Sequence, residues 1–254
     1  MSDPFDLTGK TALITGSSRG IGLALAWGLA EAGARIVLHA REGGHLDDAL
    51  EELRAGGHDP QAVAFDVTDR DAVADGVGRI EEQVGPLDIL VNNAGIQRRT
   101  PFLDIAPEDW DDVLATDLTA PFVVGQAVAR RMAPRRRGKI VNIASVQSTL
   151  ARPGIAAYTT AKGGIAMLTR AMCAELAGNG IQVNALAPGY IATELTRALW
   201  EDPEFSAWVT GRTPAGRWGS TVDLTGALVF LCSAASDFVD GQVLYVDGGM
   251  TAVV

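Results

Sequence analysis

One junction constrains this chain more than any other. A strand-like apolar run, Thr11–Thr15, passes through Thr15-Gly16-Ser17-Ser18-Arg19-Gly20-Ile21-Gly22 into a helical pattern, Ile21–Ala32. A strand that turns sharply on glycine into a helix is the opening of a βαβ unit. Gly16 can supply the tight turn, Gly20 can let backbone approach a pyrophosphate, and Gly22 can let the helix pack closely on the sheet. The first helical turn offers free N–H groups and the positive end of the helix dipole to an anion. Gly16, Ser18, Arg19, Gly20, Ile21 and Gly22 are therefore candidate phosphate-binding residues.

The same alternation continues to the end of the chain. Strands are predicted over Thr11–Thr15, Arg35–Ala40, Ala62–Phe65, Ile89–Asn92, Lys139–Ile143, Gln182–Ala187 and Val243–Val246. Helices are predicted over Ile21–Ala32, His45–Ala55, Asp69–Val84, Pro107–Met132, Ile155–Leu176 and Thr221–Ser233. Several strands are continuously apolar, as expected where helices cover both faces. The expected fold class is α/β: one Rossmann-type domain over residues 1–254, a doubly wound parallel sheet with helices on both faces. The least regular stretch, Gly189–Gly219, carries Trp200, Trp208 and Trp218 between prolines and reads as a lid over a cleft.

Charge and composition exclude several functions. The formal net charge is -10, which opposes non-specific binding to nucleic acid or to a membrane surface. No apolar stretch reaches spanning length, and Met1–Lys10 lacks the pattern of a secretory signal. Cys173 and Cys232 sit in apolar helical patterns and read as buried free thiols, which fits a cytoplasmic setting. His39, His45 and His58 show no metal-ligand spacing, so no metal is expected.

Further motifs then join the glycine turn. Asn92-Asn93-Ala94-Gly95 closes the fourth strand, Ser145 follows the fifth, Tyr158-Thr159-Thr160-Ala161-Lys162 lies on the next helix, and Pro188-Gly189 follows the sixth strand. With Thr-Gly-x-x-x-Gly-Ile-Gly, the set resembles the short-chain dehydrogenase/reductase family over nearly the whole chain. The resemblance implies an oxidoreductase that moves a hydride between a nicotinamide cofactor and an alcohol or ketone. It implies catalytic roles for Ser145, Tyr158 and Lys162. It adds Asp66, Val67, Asn93, Ala94, Gly95, Tyr158, Lys162, Pro188, Gly189, Ile191 and Thr193 to the cofactor contacts. It also implies a homotetramer built on Pro107–Met132 and Ile155–Leu176.

The residues support that chemistry on their own terms. Hydride transfer to a carbonyl leaves charge on oxygen, so a proton donor must stand beside it. A free phenol ionises near pH 10, and a nearby ammonium favours its charged form. Tyr158 and Lys162 are four residues apart, hence on one helical face. Ser145 lies just beyond an inner strand and can hold the substrate oxygen. At Asp117 the family usually carries asparagine, which supports a water-mediated proton path to the lysine. Asp can accept from water but lacks the amide donor. Either the proton path is modified, or a backbone carbonyl does the work and the Asp117 side chain only caps local backbone groups.

The end of the second strand reads His39-Ala40-Arg41, with no acid before Glu42. An acid there would hold a ribose 2′-hydroxyl, whereas Arg41, aided by Arg19, can pair with a 2′-phosphate. NADP(H) is therefore expected over NAD(H). At the substrate end, the loops Asn92–Arg99, Ser145–Ser148, Ala151–Gly154 and Arg212–Gly219 resemble those of the family's sugar-acid dehydrogenases. A sugar acid needs a cation for its carboxylate and polar groups for its hydroxyls. Arg98, Arg152 and Gln147 are the candidates, with Arg99 beside them. Three other readings stay open: another sugar or polyol dehydrogenase, a 3-oxoacyl-carrier-protein reductase using the basic run Arg130, Arg131, Arg135, Arg136 and Arg137, and a catalytically silent NADP-binding scaffold.

Overall fold

The structure, a computed structural model, describes residues 3–41 and 44–254. Glu42 and the first two residues of Met1–Lys10 lie outside the described residues. Among the described residues, seven strands form one sheet in the order β3-β2-β1-β4-β5-β6-β7. They are β1 (Thr11–Ile14), β2 (Arg35–Ala40), β3 (Gln61–Ala64), β4 (Ile89–Asn92), β5 (Gly138–Ile143), β6 (Ile181–Pro188) and β7 (Val243–Val246). Every neighbouring pair is parallel. All seven predicted strands are present, displaced by at most a residue or so at an end. Pro188 is the last residue of β6 and pairs with Val246, instead of following the strand.

The helices are α1 (Gly20–Glu31), α2 (Gly44–Ala55), α3 (Arg70–Gln83), α4 (Pro107–Leu114), α5 (Ala120–Met132), α6 (Ala156–Leu176), α7 (Arg197–Trp200), α8 (Pro203–Arg212) and α9 (Thr225–Cys232). Alternate residues of each inner strand feed opposite faces, as the period of two requires. Ala12 and Ile14 of β1 pack with Leu25 and Leu29 of α1 and Leu228 of α9. Leu13, between them, packs with Val77 of α3 and Val124 of α5. The two covered faces explain the continuously apolar strands.

Two segments differ from expectation. Pro107–Met132 is not one helix: α4 ends at Leu114, a π-helical turn spans Ala115–Thr119, and α5 begins at Ala120. The cause is visible in the sequence. Pro121 has no N–H to give the carbonyl of Asp117 four residues back, and its ring crowds that carbonyl. Second, Gly189–Gly219 contains the helices α7 and α8. The Asp202 side chain caps α8 by accepting from the Glu204 and Phe205 N–H groups, and Pro203 occupies the first turn. The two thiols are free, Cys232 buried and Cys173 only half-buried. No described helix is long and apolar enough to cross a membrane.

Between β1 and β4 the chain order reverses. In an open parallel sheet, a ligand crevice opens at the carboxyl ends of strands flanking such a point. The glycine turn after β1, Asn93–Gly95 after β4 and Ser145 after β5 all lie along that edge.

Candidate active site

The glycine turn is held by bonds from three strands. Gly16 and Gly20 have φ of 63° and 60°, a region that side chains resist. A Cβ on Gly16 would stand 2.9 Å from the Ala94 Cα, and one on Gly22 would collide with the Gly16 carbonyl. A Cβ on Gly20 would meet nothing within 4 Å, so that side of the turn is open. Arg19 precedes α1 without capping it, and the first turn has no acid. These features fit a phosphate group at that helix end. Ser18 lies in the turn, and Arg19 and Arg41 are exposed nearby in sequence to the turn and the β2 end.

Asn93 holds the turn with its side chain. Its Nδ2 donates to the carbonyls of Thr15 (2.9 Å) and Gly16 (3.0 Å), and its backbone N–H donates to Thr15 Oγ1 (3.0 Å). The Ala94 N–H donates to the same hydroxyl. Val67 is buried, and Asp66 Oδ1 accepts from the Thr68 N–H and hydroxyl. Those two bonds hold the Asp66 carboxyl below its ordinary range. Gly189 packs so closely on the chain after β7 that a Cβ would stand 2.7 Å from Asp247 Cα. Ile191 is buried in the core, and Thr193 caps the turn Glu194–Thr196.

The residues with implied catalytic roles lie just after β5 and on α6, next to the π-helical turn. Ser145 is 7% exposed, and its Oγ accepts from the Gln147 N–H at 3.1 Å. That bond orients the hydroxyl and leaves its proton free to donate. Ser148 Oγ donates to the Lys162 carbonyl at 2.8 Å, tying this turn to α6. Lys162 is 5% exposed. Its ammonium donates to the Ile143 carbonyl at 2.9 Å, lies 3.4 Å from Asp117 Oδ2 and stands 5.4 Å from the centre of the Tyr158 ring.

Asp117, 1% exposed, turns its two carboxylate oxygens to different partners. Its Oδ1 accepts from the Ile96 N–H at 2.7 Å, and its Oδ2 faces the ammonium. Burial pushes its carboxyl up, partly offset by Lys162. Burial alone would push the Lys162 ammonium down, but Asp117 and Tyr158 together outweigh it and the net direction is up. Gly95 leaves room for the carboxylate, since a Cβ there would stand 2.9 Å from Asp117 Oδ2.

At the substrate end the arginines separate. Arg98 pairs with Asp109 at 3.2 Å and reaches Asp112 at 3.8 Å, so it belongs to the surface of α4. Arg99 and Arg152 make no ion pair among the described residues. Burial and the Arg152 cation push the Arg99 guanidinium below its ordinary value. Both arginines act on Tyr190, whose phenol burial pushes up. Arg152 also lies 5.5 Å from the centre of the Phe205 ring of α8. Gln147 is 7% exposed, and its Oε1 has no partner. Sequence reasoning missed Tyr190. It also missed the buried chain in which Asn92 donates to Asn142 and Asn142 to Thr169, tying β4 and β5 to α6. The basic run is largely engaged as well: Arg131 and Arg135 pair with Glu81, Arg137 with Asp88, and Arg136 donates to the Gly178 carbonyl.

A glycine turn at the switch point, Ser145 after β5, and Tyr158 with Lys162 on α6 together carry the family's pattern. The chain belongs to the short-chain dehydrogenase/reductase family; residues 16–251 match the family model described as enoyl-(acyl carrier protein) reductase. Among its members, the chain is 57% identical over 249 residues to gluconate 5-dehydrogenase of Gluconobacter oxydans, covering 98% of this chain and 97% of that one. It is 50% identical over 254 residues to 5-keto-D-gluconate 5-reductase of Escherichia coli, covering 100% of both. A crystal structure of gluconate 5-dehydrogenase from Burkholderia cenocepacia, in complex with NADP and tartrate, superposes with a TM-score of 0.97 at 54% identity, covering 99% of each chain.

Proposed function

We propose that this enzyme uses NADP(H) to interconvert gluconate and 5-keto-gluconate. The observation that carries the substrate class is the pair Arg99 and Arg152. Two guanidiniums near one phenol, without a carboxylate partner among the described residues, repel each other unless an anion joins them. A sugar-acid carboxylate supplies that anion, and a planar guanidinium can hold it through two bonds. The names of the similar enzymes point to the same substrate. Arg98, engaged with α4, is left out of this carboxylate site.

In reduction, the Ser145 hydroxyl donates to the substrate carbonyl oxygen and Tyr158 gives that oxygen its proton. A bound nicotinamide supplies the hydride in this direction and takes it up in the other. Lys162, fixed between the Ile143 carbonyl and Asp117, keeps a positive charge beside the phenol ring. Tyr158 is then reprotonated from solvent. In oxidation the same groups run in reverse, the phenolate accepting the proton of the alcohol. Arg41 and Arg19 pair with the 2′-phosphate, and Gly189–Gly219 acts as the lid, with Tyr190 at its root. Tetramer formation through α5 and α6 has support in exposed Phe122 and Met167 on those helices. Residence in the cytoplasm is part of the same reading, supported by the two free thiols.

The carrier-protein alternative needs a free basic face, and most of the arginine run is engaged locally. NADPH oxidation with 5-keto-gluconate and with an acetoacetyl thioester tests the choice. The expected outcome is turnover of the keto acid. Turnover of the thioester alone would give the function to the carrier-protein reading, and turnover of neither would favour a silent scaffold.

A further inference from the structure

His39 opens the run His39-Ala40-Arg41 at the end of the second strand and lacks metal-ligand spacing. In the structure it sits on β2 directly beneath the glycine turn, 2% exposed. Its ring has two partners of opposite kind. The Gly16 N–H donates to Nδ1 at 3.1 Å, and Nε2 lies 3.0 Å from the Phe65 carbonyl. A backbone N–H can only donate and a carbonyl can only accept. Nδ1 must therefore be bare and Nε2 must carry the hydrogen, which fixes one neutral tautomer. The backbone of His39 is bound to the same turn. Its N–H donates to Ser17 Oγ at 2.9 Å, and its carbonyl accepts from the Ser17 N–H at 2.9 Å.

We propose that His39 is a positioning residue for the cofactor, a neutral imidazole that ties the glycine turn after β1 to the end of β3 carrying Asp66 and Val67. The turn is the candidate pyrophosphate site, and Asp66 and Val67, just past β3, are candidate contacts for another part of the cofactor. One ring thus sets the spacing between two parts of one cofactor site. Gly16 cannot find another acceptor easily, because its φ of 63° and its close approach to Ala94 hold it in place. Protonation would put a hydrogen on Nδ1, facing the Gly16 N–H. Burial opposes this and holds the imidazole down at about 4, while the Phe65 carbonyl and the Asp66 carboxylate act the other way. Arg41, at the β2 end, acts in turn on Asp66. The exposed Arg19 is the charged residue of the glycine turn.

The inference rests on the NADP(H) reading, and fluorescence titration with NADPH keeps the two apart. His39→Phe keeps a ring of similar size but removes both bonds. Its dissociation constant for NADPH should rise at least about fivefold, the effect of a buried donor left without a partner. Its kcat at saturating NADPH and substrate should stay within about twofold. His39→Asn, whose Oδ1 can accept from the Gly16 N–H, should recover most of the affinity. Wild-type affinity in folded His39→Phe, or a loss in kcat with affinity unchanged, would overturn the inference. If wild type itself does not bind NADPH, the cofactor reading fails and takes this inference with it. If His39→Phe does not fold, nitrogen-15 spectra of histidine-labelled wild type decide. The neutral Nε2–H tautomer, with an Nδ1 signal that moves when NADPH is added, is expected. The other tautomer, or a signal that NADPH leaves unmoved, would contradict it.

Discussion

The glycine turn after β1 and the Gly189–Gly219 segment after β6 are built on different principles. The turn is held by backbone groups and by short side chains acting on backbone: Asn93 on Thr15 and Gly16, His39 on Gly16, Ser17 on Ile14. The segment is held by rings and ends. Tyr190 meets Phe205, Trp208 and Trp218 edge to face at 5.6–5.8 Å, and Trp218 donates to Ser206 at 2.9 Å. Backbone bonds fix a site for a constant group such as a pyrophosphate. Aromatic packing lets a segment seat as a unit and come away as a unit. The turn is fixed chiefly by bonds to backbone, whereas the segment proposed as a lid adds an aromatic cluster to the backbone bonds that join its two ends.

The largest expected effect falls between the two in the sequence. Tyr158→Phe removes one oxygen and nearly keeps the shape, so turnover should fall by about 10²–10⁴-fold. NADPH binding should survive. Near-normal turnover at saturating substrate would remove Tyr158 from the reaction. The next effect belongs to the bonded turn and is a stability effect. His39 is held at about 4 against an ordinary 6.5, so the unfolded chain takes up this proton before the folded one. His39 thus contributes no pH dependence above 6.5. Its contribution is lost progressively as pH falls from 6.5 towards 4, by about 3 kcal/mol in all. Denaturant unfolding of wild type and His39→Asn at pH 7 and 5 measures it. An identical fall for both would mean that other groups are responsible.

For the packed segment, Arg152→Ala should lower kcat/KM for 5-keto-gluconate by about 10–100-fold, the range for a lost charged hydrogen bond. It should act much less on an uncharged ketone. Equal losses on both would make Arg152 a packing residue beneath Phe205. The smallest effect is a shift in pH. Asp117 raises the Lys162 ammonium, and a carboxylate beside an ammonium opposes the ammonium's effect on a neighbouring phenol. Asp117→Asn should move the profile of gluconate oxidation to lower pH, by about one unit or less. Superimposable profiles at saturating NADP⁺ would reduce Asp117 to a cap on the Ile96 N–H, and a shift to higher pH would reverse the sign of its role.

The same contrast explains what could be read in advance. The strands and the glycine turn are local: apolar runs and positive-φ glycines announce themselves within a few residues. Ser145, Tyr158 and Lys162 stand out as a set because one connection, β5 to α6, carries all three. The break at Asp117 could have been read from Pro121, four residues on. The proposal of Arg99 over Arg98 as a carboxylate partner could not. It depends on whether Asp109 and Asp112 of α4 reach back to one neighbour or the other, a matter of packing. Tyr190 is likewise defined by rings from 15 to 28 residues away. The role of His39 depends on register: β2 must pair with β1 so that one ring spans the Gly16 N–H and the Phe65 carbonyl.

The defining property proposed for this site is the oxidation of one particular carbon of a sugar acid with NADP⁺. The most direct measurement is turnover of uniformly carbon-13-labelled gluconate with NADP⁺ at alkaline pH, with the product identified by NMR. The expected product is a ketone at C5, formed in step with NADPH. A ketone at any other carbon, or no NADPH formed while another alcohol is oxidised, would contradict it.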